Sequence, residues 1–506
     1  MRRLPGSVGG GGGFRPLLAA LLALSSASSA TASAHVDGTP PSRIAVVGAG
    51  IGGSAAAHFL RRHFGADVQL DVYEKGEVGG RLSTVTVNRE RYESGGAVLH
   101  SLNLHMRDFV EQLGLKYRRG VSGKTAVFDG AEVILEETDW YLLDLFRLWW
   151  RYGISFIRLQ MWVEEIMEKF VRIYKYQAHG YAFSSVEDLL DSLGGSGFLN
   201  MTRRPLSDSL LELGVSQRFI DEVVAPVIRL NYGQNVSVPA FVGAVSLAGA
   251  HSNLWAVEGG NKLVCEGLLK TANANLVPAR VTSVRLLRSA GDVLQYQLSV
   301  AGEEEAATAA YDAVVLAAPL GSGSGVSFLD FDPPLEPAQG DYYGMVATVV
   351  HGYLNTSLFG FPDPRLFPYA GVLTTAAPAL FFNGVAAVYP VNVSLGFRRK
   401  GAHEAGVYKV FSPKVLTREQ LKTLFRSYYS AQATEWQAYP RAGSTAAPVE
   451  MRPGLYYLNG VDRAGGAAEM SAVAAKNVAL LAYHRWYGRS LQVDRKDLMH
   501  RIKTEL

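Results

Sequence analysis

Three glycines and one acid form the first chemically informative group in this 506-residue chain. Gly48, Gly50 and Gly53 have the spacing G-x-G-x-x-G. In such a motif the first glycine allows a tight turn, the second lets the backbone approach a pyrophosphate, and the third lets a helix pack closely on a strand. The elements that must position them are in place. Ile44-Ala45-Val46-Val47 is a short apolar run with β-branched residues, as a buried parallel strand requires. Ser54 to Arg62 is an alanine-rich helical stretch whose N-terminus faces the phosphates. Gln69 to Tyr73 reads as a second strand ending at Glu74. That acid stands about 20 residues beyond the last glycine, where a carboxylate takes ribose hydroxyls. Strand, glycines, helix, strand and acid in one short unit specify dinucleotide binding.

The residues that follow narrow the dinucleotide. Gly79-Gly80-Arg81-Leu82 comes soon after the ribose acid and resembles the FAD-binding unit of the amine oxidase and phytoene desaturase superfamily. The resemblance implies that Arg81 assists the pyrophosphate. It also implies that Tyr92-Glu93-Ser94-Gly95-Gly96 passes the flavin ring. Trp255 to Leu263 is similar to the superfamily's glycine-pair re-entry into the FAD domain. It leads to a strand, Ala279 to Val284, in which Val281 is expected to meet adenine through its backbone. Tyr311 to Pro319 and Leu455 to Gly460 are further expected strands. Glu469 starts a long alanine-rich helix to about Trp486, whose N-terminus is expected to point at the flavin and ribityl chain.

The fold class is therefore α/β: a Rossmann-type FAD-binding domain built from discontinuous segments, 42–100, 251–325 and 452–490. An interleaved α+β substrate domain is expected from 101–250 and 326–451, with a tail at 491–506. The stretch Trp140 to Lys175 predicts two amphipathic helices broken at Gly153. Leu142, Leu145, Phe146 and Trp149 share one face of the first; Leu159, Trp162, Val163, Ile166, Phe170 and Ile173 continue the pattern. This face is either core, a wall for an apolar ligand, or a helix surface dipping into a membrane interface. No metalloprotease, nucleophile-elbow or P-loop motif occurs, and no metal site is expected. The catalytic candidates are His100, which follows the flavin loop, and Tyr232 and Gln234, which precede the next domain crossing.

The remaining features concern location. Arg2, Arg3 and Arg15, with no acid before residue 35, account for the whole formal charge of +3. The rest of the chain is balanced, which removes the electrostatic case for nucleic-acid binding. With the apolar run Leu17 to Leu24 and Ala32-Ser33-Ala34, residues 1–34 read as a secretory signal peptide. Asn200, Asn235, Asn355 and Asn392 head N-glycosylation sequons. A secreted or lysosomal glycoprotein is expected. One cysteine, Cys265, leaves it to fold without an internal disulfide. The last four residues, Lys503 to Leu506, lie one substitution from an ER-retention tetrapeptide.

The stretches GAGIGG, GGRL, YESGGAVLHSLNLHM, WVEEIMEKF, RIYKYQAHGYAFSSVE, LWAVEGGNKLV and LLAYHRW together resemble the prenylcysteine oxidase family, over essentially the whole mature chain. ETDWYLLDLFRLWWRYGISFIRLQMW and QLKTLFRSYYSAQATEWQA are closer to its prenylcysteine oxidase-like branch. Asp462 to Gly466 is glycine-rich and charged for this family. The resemblance implies an FAD-dependent oxidase that cleaves the thioether of farnesyl- or geranylgeranyl-cysteine with O2, giving an isoprenoid aldehyde, cysteine and hydrogen peroxide. It adds an apolar substrate to a chain in which peripheral contact with a membrane or lipoprotein surface is already an open reading. Other readings of the scaffold are an amine-oxidase-type enzyme, or a secreted flavoprotein or lipid carrier without turnover.

Overall fold

The computed structural model describes residues 38–498, apart from 122, 139–140, 250–253, 289–293, 303–309, 322–323, 336–341, 395, 442–447 and 497. The proposed leader at 1–34 and the last eight residues lie outside the described residues.

The glycine motif sits at the centre of a six-stranded sheet. Its order is Glu450–Arg452, Leu455–Tyr457, Ala313–Leu316, Arg43–Val47, Gln69–Tyr73, Asn275–Val277. All neighbours run parallel except the edge strand Glu450–Arg452. Arg43–Val47 is central because its side chains are apolar on both faces, Ile44, Ala45 and Val46 being completely buried. Helix Ile51–Phe64 follows the glycines and packs against the C-terminal helix Ala468–Trp486. Small residues on both helices, Ala55, Ala56, Ala472, Ala475 and Ala479, let them approach within one continuous core. Four separated stretches of sequence thus build one nucleotide-binding sheet.

A second sheet of four strands, Ala310–Tyr311, Leu294–Val300, Val281–Arg288 and Ser327–Leu329, packs beside it. Ser327–Leu329 was expected in the substrate half. It instead pairs in parallel with Val281–Arg288, Ser283 facing Ser327, because its partly buried apolar residues close that small core. Phe331 and Leu335 still pack on this small core.

The other half holds a seven-stranded sheet ordered Phe425–Pro440, Tyr342–Leu354, Gly406–Ser412, Gly384–Ala387, Tyr369–Thr374, Lys124–Phe128, Val133–Glu136. Helices between residues 141 and 248 pack around it and against the first core. The two predicted amphipathic helices are Tyr141–Tyr152 and Ser155–Phe170. They part at Gly153, whose φ of 62° only glycine adopts readily.

Candidate functional site

The glycine loop is shaped partly by the protein and partly for something outside it. At Gly48, with φ 107°, an added Cβ would lie 2.8 Å from the Ala317 carbonyl oxygen. At Gly53 it would lie 1.8 Å from the Gly48 carbonyl oxygen. Both glycines are demanded by packing. Gly50 is different. Its backbone is extended, and an added Cβ would meet nothing nearer than 3.8 Å. The chain itself gives no reason for glycine there, whereas a group brought against the loop does. The helix starting at Ile51 has no side-chain cap and no acid in its first turn, so its dipole is left for an anion. Glu74 frames the opposite side. One carboxylate oxygen accepts from the Ala49 N–H at 2.8 Å and the other from the Gly76 N–H at 2.9 Å. Each oxygen keeps a lone pair for a ribose hydroxyl.

Gly79 and Gly80 fold back onto this loop. The Gly79 N–H donates to the Ala49 carbonyl at 3.0 Å. From there Arg81 reaches Asp462 with a hydrogen bond to each carboxylate oxygen, 3.2 and 3.0 Å. Burial works against the guanidinium charge, but Asp462 more than answers it and holds Arg81 above its ordinary range. Asp462 also accepts from Asn459 Nδ2 at 2.9 Å and from the Tyr342 hydroxyl at 3.4 Å. The charge that marked the C-terminal segment in the sequence is thus answered by the arginine of the glycine-pair turn.

The loop Tyr92–Gly96 is braced from below. Lys409, only 5% exposed, donates to the carbonyls of Glu93 at 3.1 Å and Gly95 at 2.8 Å. Burial presses its ammonium down to about 8. The buried Glu93 carboxylate takes the Asn261 N–H at 2.8 Å, and burial pushes it up to about 7. Asn261 in turn donates to the Gly96 carbonyl at 2.9 Å. Gly95 is required here, since a Cβ would lie 2.1 Å from the Arg81 carbonyl oxygen. The Trp436 ring lies against the same loop, and its buried indole N–H has no protein partner. One oxygen each of Glu93 and Asn459 is likewise buried without a partner. The cradle at Gly50 and these unpaired polar atoms fit a dinucleotide carrying a heteroaromatic ring.

Among the remaining candidates, Val281 heads its strand and packs in one core with Val47 and Tyr73, the strand ends that flank Glu74. Tyr232 and Gln234 come together at one place. The Tyr232 ring meets Tyr439 edge-on at 4.0 Å, and Gln234 donates to the Pro440 carbonyl at 3.4 Å. Tyr439 contacts Gly466, beyond the Asp462 segment. His100 is placed elsewhere. Its Nδ1 accepts from the Leu102 N–H and its carbonyl from the Trp255 indole, so it shapes a turn. Glu469 stands in the first turn of its helix, as expected, but its carboxylate is already taken by the protein. Its carboxylate is turned onto helix Leu104–Gln112, taking the N–H groups of His105 at 2.7 Å and Met106 at 3.0 Å, with the Tyr174 hydroxyl at 2.7 Å. That helix has no cap of its own, and its orphan amides claim the acid. The expected apolar face also divides: Ile166 and Phe170 are core, whereas Phe146 and Trp149 face solvent.

Comparison with known proteins places this frame. A model of the prenylcysteine lyase family matches residues 135–495, and a model of an NAD(P)-binding Rossmann-like domain matches 46–113. The human protein prenylcysteine oxidase 1-like is 59% identical over 97% of this chain and 99% of its own length. Bovine prenylcysteine oxidase 1 is 45% identical over 92% of this chain and 93% of its own length. The chain belongs to the prenylcysteine oxidase family. Among solved structures, a putrescine oxidase variant superposes with TM-score 0.56 at 15% identity, covering 86% of this chain and 97% of its own. A putative protoporphyrinogen oxidase from Exiguobacterium gives TM-score 0.56 at 15% identity, covering 88% and 99%. These last two share the fold of the prenylcysteine oxidase frame described above.

Asp462, Lys409 and Asn261 are functional candidates that the motifs alone did not single out. Asp462 stood out only as an unexplained charge. Lys409 carries one available signal, a lysine inside an otherwise apolar strand, Gly406–Ser412. Of the sequon asparagines, Asn200, Asn235 and Asn392 are exposed; Asn355 is half-buried and donates to the Thr423 carbonyl.

Proposed function

We propose that this protein is an FAD-dependent thioether oxidase that cleaves farnesyl- or geranylgeranyl-cysteine. The observation that carries the reading is Gly50. In a member of the prenylcysteine oxidase family, the nucleotide loop keeps a glycine that the packing of the chain does not demand. Glu74 binds the adenosine ribose, the Ile51 helix end and the Gly79–Arg81 turn hold the pyrophosphate, and the Tyr92–Gly96 loop lines the ring. FAD, when bound, supplies a hydride acceptor whose electrons pass to O2.

The substrate carbon that gives up hydride is allylic and bonded to sulfur, so the sulfur lone pair and the double bond stabilise the developing cation. Water then adds at that carbon, and the C–S bond breaks to release aldehyde and cysteine thiol. Counting O2 reduced to hydrogen peroxide, one thioether, one water and one O2 give one aldehyde, one cysteine and one peroxide. Such a donor requires placement more than a strong base. Tyr232 and Tyr439 form a rigid aromatic pair near the Asp462 segment, backed by the buried apolar core of Val224, Ile228, Val242 and Leu247. The reading includes a secretory route, with cleavage after residue 34, N-glycans, and a secreted or lysosomal destination.

The test is anaerobic mixing of the purified flavoprotein with farnesylcysteine while its visible absorbance is followed. Bleaching, followed by peroxide on admitting air, supports the reading. Faster bleaching by an aliphatic amine replaces it with an amine-oxidase function. Bound flavin with no bleaching by either donor points to a carrier.

A further inference from the structure

The outer face of the first helix pair is apolar and uncovered. Between residues 143 and 161 the exposed side chains include Phe146 at 54%, Trp149 at 53%, Trp150 at 77% and Met161 at 65%, with Leu143, Ile154 and Ile157 beside them. Phe146, Trp149 and Trp150 touch one another, with ring centroids 6.1 to 6.5 Å apart. An isolated exposed apolar residue needs no explanation, but a contiguous patch of large ones does.

The polar residues of the same stretch say what covers it. Asp144 takes the Thr138 N–H and hydroxyl. Arg147 pairs with Glu136 at 3.0 Å, and Arg151 with Glu222 at 2.6 Å. Glu222 also takes the Tyr152 hydroxyl. Ser155 bonds Ser216, Arg158 donates to the Gly214 carbonyl, and Gln160 donates to Glu164. Asp144, Arg147 and Arg151 thus have partners inside the protein, Arg158 is held by a neutral carbonyl, and the hydrogen-bonding side chains named here are already engaged. A specific protein interface carries about one hydrogen bond per 100–200 Å² and needs free donors and acceptors. This face offers tryptophan, phenylalanine and aliphatic area, with its polar groups already held by the protein. Its complement is a surface that accepts apolar groups without directed bonds, namely a zwitterionic phospholipid bilayer, in whose interface indole rings are favoured.

We propose that residues 143–161 seat the protein on a zwitterionic phospholipid bilayer, with Phe146, Trp149 and Trp150 entering the headgroup–acyl boundary. The patch is continuous with the interior. Leu148, Phe156, Leu159 and Trp162 of the same helices pack on the cluster containing Tyr232 and Ile228. If the function proposed above is right, the bilayer that seats the protein is also a source of its isoprenoid substrate. The docking itself does not depend on that function.

The experiment uses the full mature FAD-bound protein and phosphatidylcholine vesicles in a flotation assay, with Phe146→Ser/Trp149→Ser/Trp150→Ser as the variant. All three side chains are exposed, so the fold and flavin content should be retained, which the visible spectrum checks. The expected result is vesicle binding that changes less than twofold between low and high salt and falls at least tenfold in the variant. Tryptophan fluorescence should also be quenched by brominated lipid in the wild type. Three outcomes overturn the proposal: no binding to phosphatidylcholine, binding only to anionic vesicles and lost in salt, or a light-scattering dimer that the variant converts to monomer. The last would make this face a self-association surface. Because the readout is vesicle binding, its failure is distinguishable from failure of the thioether chemistry.

Discussion

Gly50 and Gly53 lie three residues apart and should respond to substitution in opposite ways. Gly53→Ala puts a methyl against the Gly48 carbonyl, inside the packing of strand and helix, and should abolish stable folding. At Gly50→Val the β-carbon meets nothing nearer than 3.8 Å; the protein should fold but emerge without flavin. Circular dichroism and the 450 nm region of the absorbance spectrum separate the two results, and yellow Gly50→Val protein would remove the nucleotide assignment. At Asp462 the expected effect is on coupling. Asp462→Ala leaves a half-buried Arg81 without its carboxylate, and hydrogen bonds to charged groups contribute about 1.5–3 kcal/mol. A loss of roughly that size in chemical denaturation is expected, together with weaker FAD retention. Lys409→Met should leave the Glu93 and Gly95 carbonyls unpaired beneath the flavin loop, raising the FAD dissociation constant severalfold while secondary structure stays intact. An unchanged constant would make Lys409 only a sheet residue.

At the scale of elements, helix Leu104–Gln112 depends on an acid 364 residues away in sequence. Glu469→Ala should orphan two backbone donors, at about 1–3 kcal/mol for each buried group left unsatisfied, while the Tyr174 hydroxyl keeps the Leu102 carbonyl at 3.1 Å. Flavin affinity of the folded fraction should be little changed, which a titration of apoprotein with FAD would check. The same residue shows where sequence patterns stop. Strand, glycine turn, helix and ribose acid were legible because they are local: periodicity and spacing specify them within some 30 residues. An acid at the start of a helix reads as part of that helix's own N-terminus, and nothing local reveals that another helix claims it. The pair Tyr141–Tyr152 and Ser155–Phe170 teaches a similar lesson. Periodicity separated the two helices and placed the break at Gly153. It could not say that Phe146 and Trp149 lack a covering layer, because an apolar face looks the same in sequence whether protein or lipid lies against it.

For the whole molecule, buried titratable groups work in opposition. His58, His63 and His105 are pushed down to about 4, chiefly by burial. Unfolded histidines titrate near 6.5, so from about pH 6.5 down to 4 the unfolded chain holds more protons and acidification costs stability. Glu93 and Glu469 are pushed up to about 7, again chiefly by burial. Between their unfolded value of 4.5 and about 7 the folded chain holds more protons, and acidification adds stability. Each group alone changes stability by about 1.4 kcal/mol per pH unit within its window. His351 and His484 are also lowered and Glu450 is also raised, so the imidazoles outnumber the carboxyls and denaturation should show a stability at pH 5 below that at pH 6.5, by less than the imidazoles alone would give. Glu469→Gln removes one acid-favouring group and should steepen that fall. A steep fall in the wild type would show that the carboxyls do not offset the imidazoles. This balance was invisible in the sequence, since it comes from burial that only the assembled helices create.

The central sheet also sets a timetable. Its strands come from residues 43–73, 275–277, 313–316 and 450–457, and Arg81 waits 381 residues for Asp462. At about 5–20 residues per second, a ribosome delivers the glycine loop tens of seconds before the strand Leu455–Tyr457 and the helix that packs on it. During that interval the nascent chain holds a nucleotide-binding turn without the wall that closes it. Capture of FAD is therefore a late, post-synthetic event, and a chain ending before residue 450 never acquires the strand and helix that complete the cradle. A nonsense codon far from every glycine of the motif is, for this architecture, as damaging to cofactor loading as a change within it.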